Sequence, residues 1–585
     1  MTEDRRRSLR LALEEIDPEY DPIAKMVWAN VSEAGYHTTL KSGRVHPTNQ
    51  SLAYAVGLLD SGEADRLKRA VDILETVISL QDQNPESKTY GIWSWYLEEP
   101  LERMSPPDWN WADFCGVQLL AVWVDHRDRL PEALEGRLRE SIVHAARSIE
   151  RRNVAMDYTN IAIMGTYVTL VAAERFEIPD LLEYAKNRLR RFHRHVMDQG
   201  SFTEYNSPTY TTVAIRELSR MVMHFQDSED RKLAAEICDL AWKHVARHFH
   251  PPTRQWAGPH SRTYQTDLRD RPSYPAFLEM ATGRQGYFLT ADPLPVGLDT
   301  YRLPIECPKE YVPFFASLTE PREVVETFAK ADPRREGQKK AVVGTTYLHP
   351  NFTLGTVNRG MFWRQRRSFL AYWGTAEKPT YLHPRFLHDG YDYCSALPFS
   401  AQSEGFALAA LVFATDGGDT HPNLDLVKEA TIRANDLRLR FEFGADLDGL
   451  RIVEPFNPNG GITIADREVT ILLKPLEDRF GGDRFRWEAG GNGETRWVDA
   501  VAYSGEVREV DFSALEEAFL IFALQVVPKG QDPIPFDSAK AVRNGSGVRG
   551  EWMLKTGVLR VEVPSKPSPF NYLNDTTVVN APSVS

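Results

Sequence analysis

The sequence predicts an α+β multidomain protein, an N-terminal α/α toroid followed by a C-terminal antiparallel β-sandwich. Three observations predict it. The chain has 585 residues, well past the roughly 250–300 at which one hydrophobic core stops growing, so two or more cores are expected. Up to residue 285 apolar residues recur at helical spacing with short polar breaks, and beyond residue 343 they recur at every second position. Residues 286–343 in between are punctuated by proline and turn highly charged in Asp332-Pro333-Arg334-Arg335-Glu336-Gly337-Gln338-Lys339-Lys340, as a boundary does. The expected organisation is a helical catalytic domain over 1–285, a linker over 286–343 and a β domain over 344–585.

Ser8 to Glu15 forms the first amphipathic helix. Leu67, Val71, Leu74 and Ile78 make a one-sided stripe, as do Leu233, Ile237, Leu240 and His244. Asn110 to Val124, Pro131 to Ile149, Thr159 to Glu174 and Leu181 to Met197 lie between them. About ten consecutive helices of similar length, with no strand-like segment among them, are what an α/α toroid or a helical solenoid requires.

In the second half Leu437-Arg438-Leu439-Arg440-Phe441-Glu442-Phe443 alternates without error, and Val558 to Val563 does the same. Val469 to Leu473 and Phe519 to Val527 read as buried strands, with turns at Asn459-Gly460-Gly461 and Gly481-Gly482-Asp483. Many short strands with turn signals argue for a sandwich.

Composition narrows the function. A net charge of -13 opposes a general field for nucleic acid or an anionic membrane. No run reaches the roughly 18 apolar residues of a membrane span, and the N-terminus has no signal-peptide core, so a cytoplasmic protein is expected. The four cysteines, Cys115, Cys238, Cys307 and Cys394, have neither zinc-knot nor disulfide-framework spacing. No Rossmann fingerprint, P-loop, HExxH or GxSxG is present, which leaves nucleotide, zinc-peptidase and α/β-hydrolase chemistry unsupported.

Reactive side chains concentrate in four places. Asn160, in Asp157-Tyr158-Thr159-Asn160, precedes a very apolar helix, where it is either a cap or an amide donor to a substrate carboxylate. Gly200 to Tyr210 brings Glu204, Tyr205, Asn206 and Tyr210 to a helix start opened by Ser207-Pro208. His260, Arg262 and Tyr264 follow within five residues of one loop. Tyr381 to Tyr393 is expected to be a surface loop closing over a groove. Its His383, His388 and Asp389 are zinc-type ligands without a closed zinc spacing, so a metal there is the lesser reading. Trp93 and Trp95, then Trp109 and Trp111, collect in breaks between helices, either as core plugs or as platforms on which sugars stack.

On Asn160, the Gly200 to Tyr210 loop, the His260 and Arg262 segment and Tyr347-Leu348-His349-Pro350-Asn351-Phe352-Thr353-Leu354-Gly355, together with the domain order, the chain resembles the polysaccharide lyases of the heparinase II/III, chondroitin AC and alginate (oligoalginate) lyase type. The resemblance implies β-elimination at a uronic acid of an oligosaccharide or polysaccharide, by removal of the C5 proton, with no cofactor required. It implies that Asn160 neutralises the C5 carboxylate, because the developing charge needs preorganised donors; Arg262 is a further candidate that the residues themselves add. Tyr205, Tyr210 and His260 are the candidate proton carriers. A tyrosine, with a pKa of about 10, needs a nearby cation such as Arg262 to serve as base. Where several family members have histidine this chain has Tyr205 after Glu204, so the base stays open between the tyrosines and His260. Trp93, Trp95, Trp109, Trp111, Glu204 and His383 are the expected substrate contacts. The chain could also form a homo-oligomer.

Other readings share the composition. A uronyl C5-epimerase uses the same proton abstraction. A toroid glycoside hydrolase needs an acid pair such as Asp113 with Glu204 or Glu99. A catalytically inactive sugar-binding protein needs neither.

Overall fold

The structure is a computed structural model and describes residues 1–32, 35–284, 286–361, 363–453, 457–458 and 460–581. The chain forms two compact units, Met1–Asp198 with Tyr210–Trp242 and Arg271–Pro308, and Gln199–Thr209 with Lys243–Asp270 and Lys309–Ser585. The fold is the helical toroid followed by antiparallel sheets that the sequence predicts.

The helices are α1 (Glu3–Ile16), α2 (Thr48–Ser61), α3 (Ala64–Ser79), α4 (Trp111–His126), α5 (Glu132–Arg152), α6 (Thr159–Phe176), α7 (Pro179–Gln199), α8 (Pro208–His224), α9 (Ser228–His248) and α10 (Ser273–Thr282). Their apolar patterns alternate in kind. In α6 every residue from Thr159 to Ala173 is buried, and α2 and α4 are apolar on nearly all sides. By contrast α3 and α7 bury a single stripe, in α3 Ala70, Ile73, Leu74, Val77 and Ile78. A helix apolar all round needs neighbours all round, whereas a striped one faces water on its other side. Accordingly α2 packs on α3 and α4, and α4 on α5 and α6, so α2, α4 and α6 form the inner row. The helical half is not strand-free, since two- and three-residue ladders pair Tyr20–Asp21 with Met26–Val27, Ala29–Val31 with Gly43–Val45, and Phe249–His250 with Gln255–Trp256.

The β region comprises β1 (Arg322–Ala329), β2 (Val342–His349), β3 (Phe352–Val357), β4 (Phe369–Gly374), β5 (Pro379–His388), β6 (Ala396–Ser403), β7 (Phe406–Phe413), β8 (Thr431–Ala445), β9 (Ile462–Ala465), β10 (Val469–Phe480), β11 (Arg486–Gly491), β12 (Arg496–Asp511), β13 (Ala518–Pro528), β14 (Lys540–Asn544), β15 (Gly547–Leu554) and β16 (Gly557–Pro564). A short helix, Phe570–Thr576, precedes a last strand, Val578–Asn580. Strand β1 lies within the segment read as linker.

One sheet runs in the order β11-β12-β8-β5-β4-β3-β2-β1, a second runs β6-β7-β13-β10-β9, and a third holds β14, β15 and β16. Strand β13 shows why these stack as layers. Its Leu520, Phe522, Leu524 and Val526 join the core with Phe352, Leu354, Leu439 and Phe441 of the first sheet. Its Phe519, Ile521 and Ala523 face Val548, Trp552, Leu559 and Val561 of the third. A strand buried on both faces reads as a continuous apolar run, as this one does.

The Tyr381 to Tyr393 stretch is strand and not a surface loop. β5 pairs with β4 on one side and β8 on the other, and the chain turns back at Asp389-Gly390, both at positive φ, to Tyr391–Asp392. Leu382 and Phe386 supply its core face, while His383, Pro384 and Arg385 between them disguise the alternation. Turn residue Asn459 lies outside the described residues, and Gly481-Gly482 turns the chain after β10. Among the described residues no helix is long and apolar enough to cross a membrane.

Candidate functional site

Loop 199–209 is hung on β1. Gln199 Nε2–H donates to the Phe328 carbonyl and Ser201 Oγ–H to that of Thr327, each at 2.7 Å. This places the Tyr205 ring flat against Phe328, with centroids 4.6 Å apart. The ring also lies over β2 where Gly344 stands, since a Cβ there would meet Tyr205 Cε1 at 2.5 Å.

Asn206 is the most constrained residue of the loop. Its backbone is left-handed, at φ 46°. Its Nδ2–H group donates to the carbonyls of Ala257 (2.7 Å) and Pro259 (3.0 Å), and its Oδ1 accepts from Trp256 Nε1–H at 2.6 Å. Its own carbonyl accepts the His260 Nδ1–H at 2.5 Å. On either side Ser261 donates twice to the Tyr205 carbonyl, and the Ser207 hydroxyl donates to that of Arg262. Backbone strain of this kind persists only where surroundings over-determine it, and such residues cluster at functional sites.

The 256–264 segment in turn lies on the first sheet. Thr346 Oγ–H donates to the Gly258 carbonyl at 2.7 Å, and His260 exchanges backbone hydrogen bonds with Arg367. Gly355 is needed for this approach, because a Cβ there would stand 1.9 Å from the Gly258 oxygen. Arg262 is clamped. Its Nη1 meets Glu204 Oε1 at 3.0 Å, its Nε–H donates to Gln365 Oε1 at 3.1 Å, and its guanidinium covers Trp363 at 4.4 Å. Tyr264 is 46% exposed.

The electrostatics separate the candidates. Burial, then the Glu326 carboxylate, raises the Tyr205 phenol well above its ordinary value, opposite to what a base needs. Its hydroxyl lies 3.0 Å from His248 Nε2, and that ring's Nδ1–H is donated to the His244 carbonyl, so Tyr205 is the donor. Burial pushes His260 down to about 3 despite its hydrogen bond to Asn206, so the ring is neutral and packed in the interior. Tyr205 and His260 therefore read as structural members, and the cation expected to activate Tyr205 is engaged with Glu204.

His383 is also buried, and burial followed by Arg367, Arg385 and His260 drives its pKa well below the usual range. It lines a cavity of about 60 Å³ with Arg364, Arg366, Arg385 and Asp392. His388 is committed elsewhere, to Asp419, Tyr391 and the Arg433 carbonyl, and Asp389 accepts from the backbone of Asn435 and Asp436. His383, His388 and Asp389 are not brought together as a ligand group. Among the described residues His244, His248 and Glu326 are, with ligand atoms within 4.8 Å of one another. Burial works against ionisation of Glu326, but His248, His244 and Arg247 hold its carboxyl down at about 2.

The remaining candidates belong to the helical unit. Asn160 is buried at the second position of α6, two residues past its cap, which is Tyr158. Tyr210 is half-buried in the first turn of α8, whose start at Pro208 matches the sequence signal. Trp93 is core, fully buried with its N–H given to the Val77 carbonyl. Trp95 packs on Trp111 at 5.1 Å. Trp109 closes one side of a 720 Å³ cleft whose polar lining includes Gln81, Asp82, Lys88 and Thr89. Asp113 is buried beneath α6, and burial, opposed by Arg152 and Arg188, raises its carboxyl to about 7. Glu99 is tied to Thr38 and Thr39.

Sequence reasoning missed Gln365, Trp363 and the His244, His248 and Glu326 group. The dense run Trp363-Arg364-Gln365-Arg366-Arg367 and the one-turn spacing of the two histidines were the available signals.

Residues 9–293 match the model of a family described as a domain of unknown function, DUF8769. No curated protein matches the chain. Among solved structures, a heparinase III is similar over 96% of this chain and 91% of its own, at 10% identity and a TM-score of 0.46. The chondroitin AC lyase of Streptomyces coelicolor A3, in complex with chondroitin sulphate, is similar over 96% and 87%, at 10% identity and a TM-score of 0.47. A second heparinase III, with methylated lysines, is similar over 96% and 91%, at 9% identity and a TM-score of 0.37.

Proposed function

We propose that the protein is a carbon–oxygen lyase that cleaves a uronic-acid-containing oligosaccharide or polysaccharide by β-elimination. The observation that carries this reading is the pinned, left-handed Asn206, in a loop locked by hydrogen bonds on both sides and running directly into the helix that bears Tyr210. Preorganisation of this kind is what a positioned proton carrier requires. Of the two tyrosines, Tyr205 is spent on packing and on His248, and Tyr210 is the proton carrier.

The chemistry assigns three tasks. A donor must hold the C5 carboxylate, so that removal of the C5 proton builds charge against a hydrogen bond already in place. Asn160 takes that part, with the clamped Arg262 guanidinium as a second candidate. Tyr210 takes the C5 proton and returns a proton to the departing O4. Partly exposed rings, Trp95, Trp109 and Trp111, offer faces on which sugars stack.

One observation favours a second reading. Asp113, held at about 7, has the poise of a general acid in a hydrolase. Elimination leaves a C4–C5 double bond that absorbs in the ultraviolet, and hydrolysis does not. A panel of uronic-acid oligosaccharides followed by absorbance separates the two, and new reducing ends without absorbance would overturn the lyase assignment.

A further inference from the structure

Helix α9 ends with His244 and His248 one turn apart, hence on one face. Strand β1 brings Glu326 against that face, and loop 199–209 brings Tyr205. We propose that His244 Nδ1, His248 Nε2 and a Glu326 carboxylate oxygen are the ligands of a divalent transition-metal ion of the zinc type, with the Tyr205 hydroxyl oxygen as the fourth.

The spacing fits such an ion. Four ligands at zinc distances of about 2.0–2.1 Å stand roughly 3.3 Å from one another in a tetrahedron. Here His244 Nδ1 to Glu326 Oε2 is 2.7 Å, His248 Nε2 to Glu326 Oε2 is 3.7 Å and Tyr205 to His248 Nε2 is 3.0 Å. To admit the ion, the His244–Glu326 contact must open by roughly 0.6 Å, with smaller adjustments of the other two pairs.

The outer contacts fit as well. A metal-bound imidazole gives its second ring N–H to a carbonyl or carboxylate, which fixes its tautomer and its aim. Both rings do this. His248 Nδ1–H donates to the His244 carbonyl at 2.8 Å, and His244 Nε2–H donates to that of Gly200 at 3.0 Å. The second Glu326 oxygen accepts from Arg247 Nη1 at 3.2 Å. Two imidazoles with oxygen ligands suit zinc, and the buried, closed arrangement is that of a structural site. On binding, two protons leave to solvent, the one between His244 Nδ1 and Glu326 and the phenol proton that His248 Nε2 can no longer accept, so that the ion is held by two neutral imidazoles, a carboxylate and a phenolate. The ion would tie α9, β1 and the loop bearing Glu204 and Asn206 together.

The same side chains without an ion form a complete hydrogen-bonded network, so the test must read the ion itself. The full chain, purified from zinc-supplemented cells, is analysed for bound metal, then stripped with a chelator and titrated with Zn2+ or Co2+ alone. The expected result is one zinc per chain, a melting temperature that falls by several degrees on stripping and returns with Zn2+, and the visible bands of tetrahedral Co2+. His248→Gln and Glu326→Gln should abolish those bands, whereas His388→Gln should keep them. Should either ligand variant fail to fold, the stripped and reloaded wild-type chain still decides. Trace metal only, a melting temperature indifferent to Zn2+ and no Co2+ bands in the folded protein would overturn the proposal.

Discussion

Replacing Asn206 separates the two forces that hold the loop. The side chain makes three buried hydrogen bonds, to Ala257, Pro259 and Trp256. Each contributes about 1 kcal/mol net, and a buried partner left unpaired costs about 1–3 kcal/mol. Asn206→Ala loses all three and holds a Cβ-bearing residue at φ 46°, which adds roughly 1 kcal/mol because asparagine tolerates that region and alanine does not. The loss for alanine is therefore on the order of 4 kcal/mol or more. Asn206→Gly loses the same bonds but not the strain, and should be about 1 kcal/mol more stable than alanine. Asn206→Asp keeps an acceptor for Trp256 but sets a carboxylate against two carbonyls, and should fall near alanine. Urea unfolding followed by tryptophan fluorescence, with hydrogen exchange over 199–209 and 256–264, measures the series. An alanine variant as stable as wild type would refute the hydrogen-bond account, and a glycine variant less stable than alanine would refute the strain account.

Asp113 gives a pH signature. With its folded pKa raised from 3.8 to about 7, the native state keeps a proton that the unfolded chain releases. Its stabilising effect is complete below about pH 4 and lost by about pH 7, on the order of 4 kcal/mol in all. Asp113→Asn should flatten that part of the stability curve, and an unchanged curve would show the carboxyl is not held neutral. Arg262→Lys keeps the charge but cannot span Glu204 and Gln365 while covering Trp363, so turnover should fall roughly 10- to 100-fold; full activity would remove Arg262 from the site. Gly344→Ala drives a methyl into Tyr205 at 2.5 Å and should cost about 1–3 kcal/mol, visible as a lower melting temperature. Tyr205→Phe leaves His248 Nε2 without its donor and should lower the melting temperature as well.

What was legible in the sequence depended on how local its cause is. Strand β8 and helix α3 are written in their own periods, and β13 shows its double burial as an unbroken apolar run. β5 is hidden in the sequence because one face carries His383 and Arg385, which line a cavity and break the apolar alternation that marks a strand. Tyr205 and Tyr210 look alike five residues apart. What distinguishes them is Phe328 and Gly344, more than a hundred residues downstream, and no short window contains that information. The same holds for His244, whose partner Glu326 is 82 residues away.

The central claim is elimination with Tyr210 as the proton carrier. Its most direct test is ultraviolet absorbance during incubation of the wild-type chain and of Tyr210→Phe with a panel of uronic-acid oligosaccharides, both shown to be folded by their melting curves. The account predicts rising absorbance for the wild type on at least one substrate class, and its loss in Tyr210→Phe with binding retained. Chain cleavage without absorbance, or a fully active Tyr210→Phe variant, would contradict it.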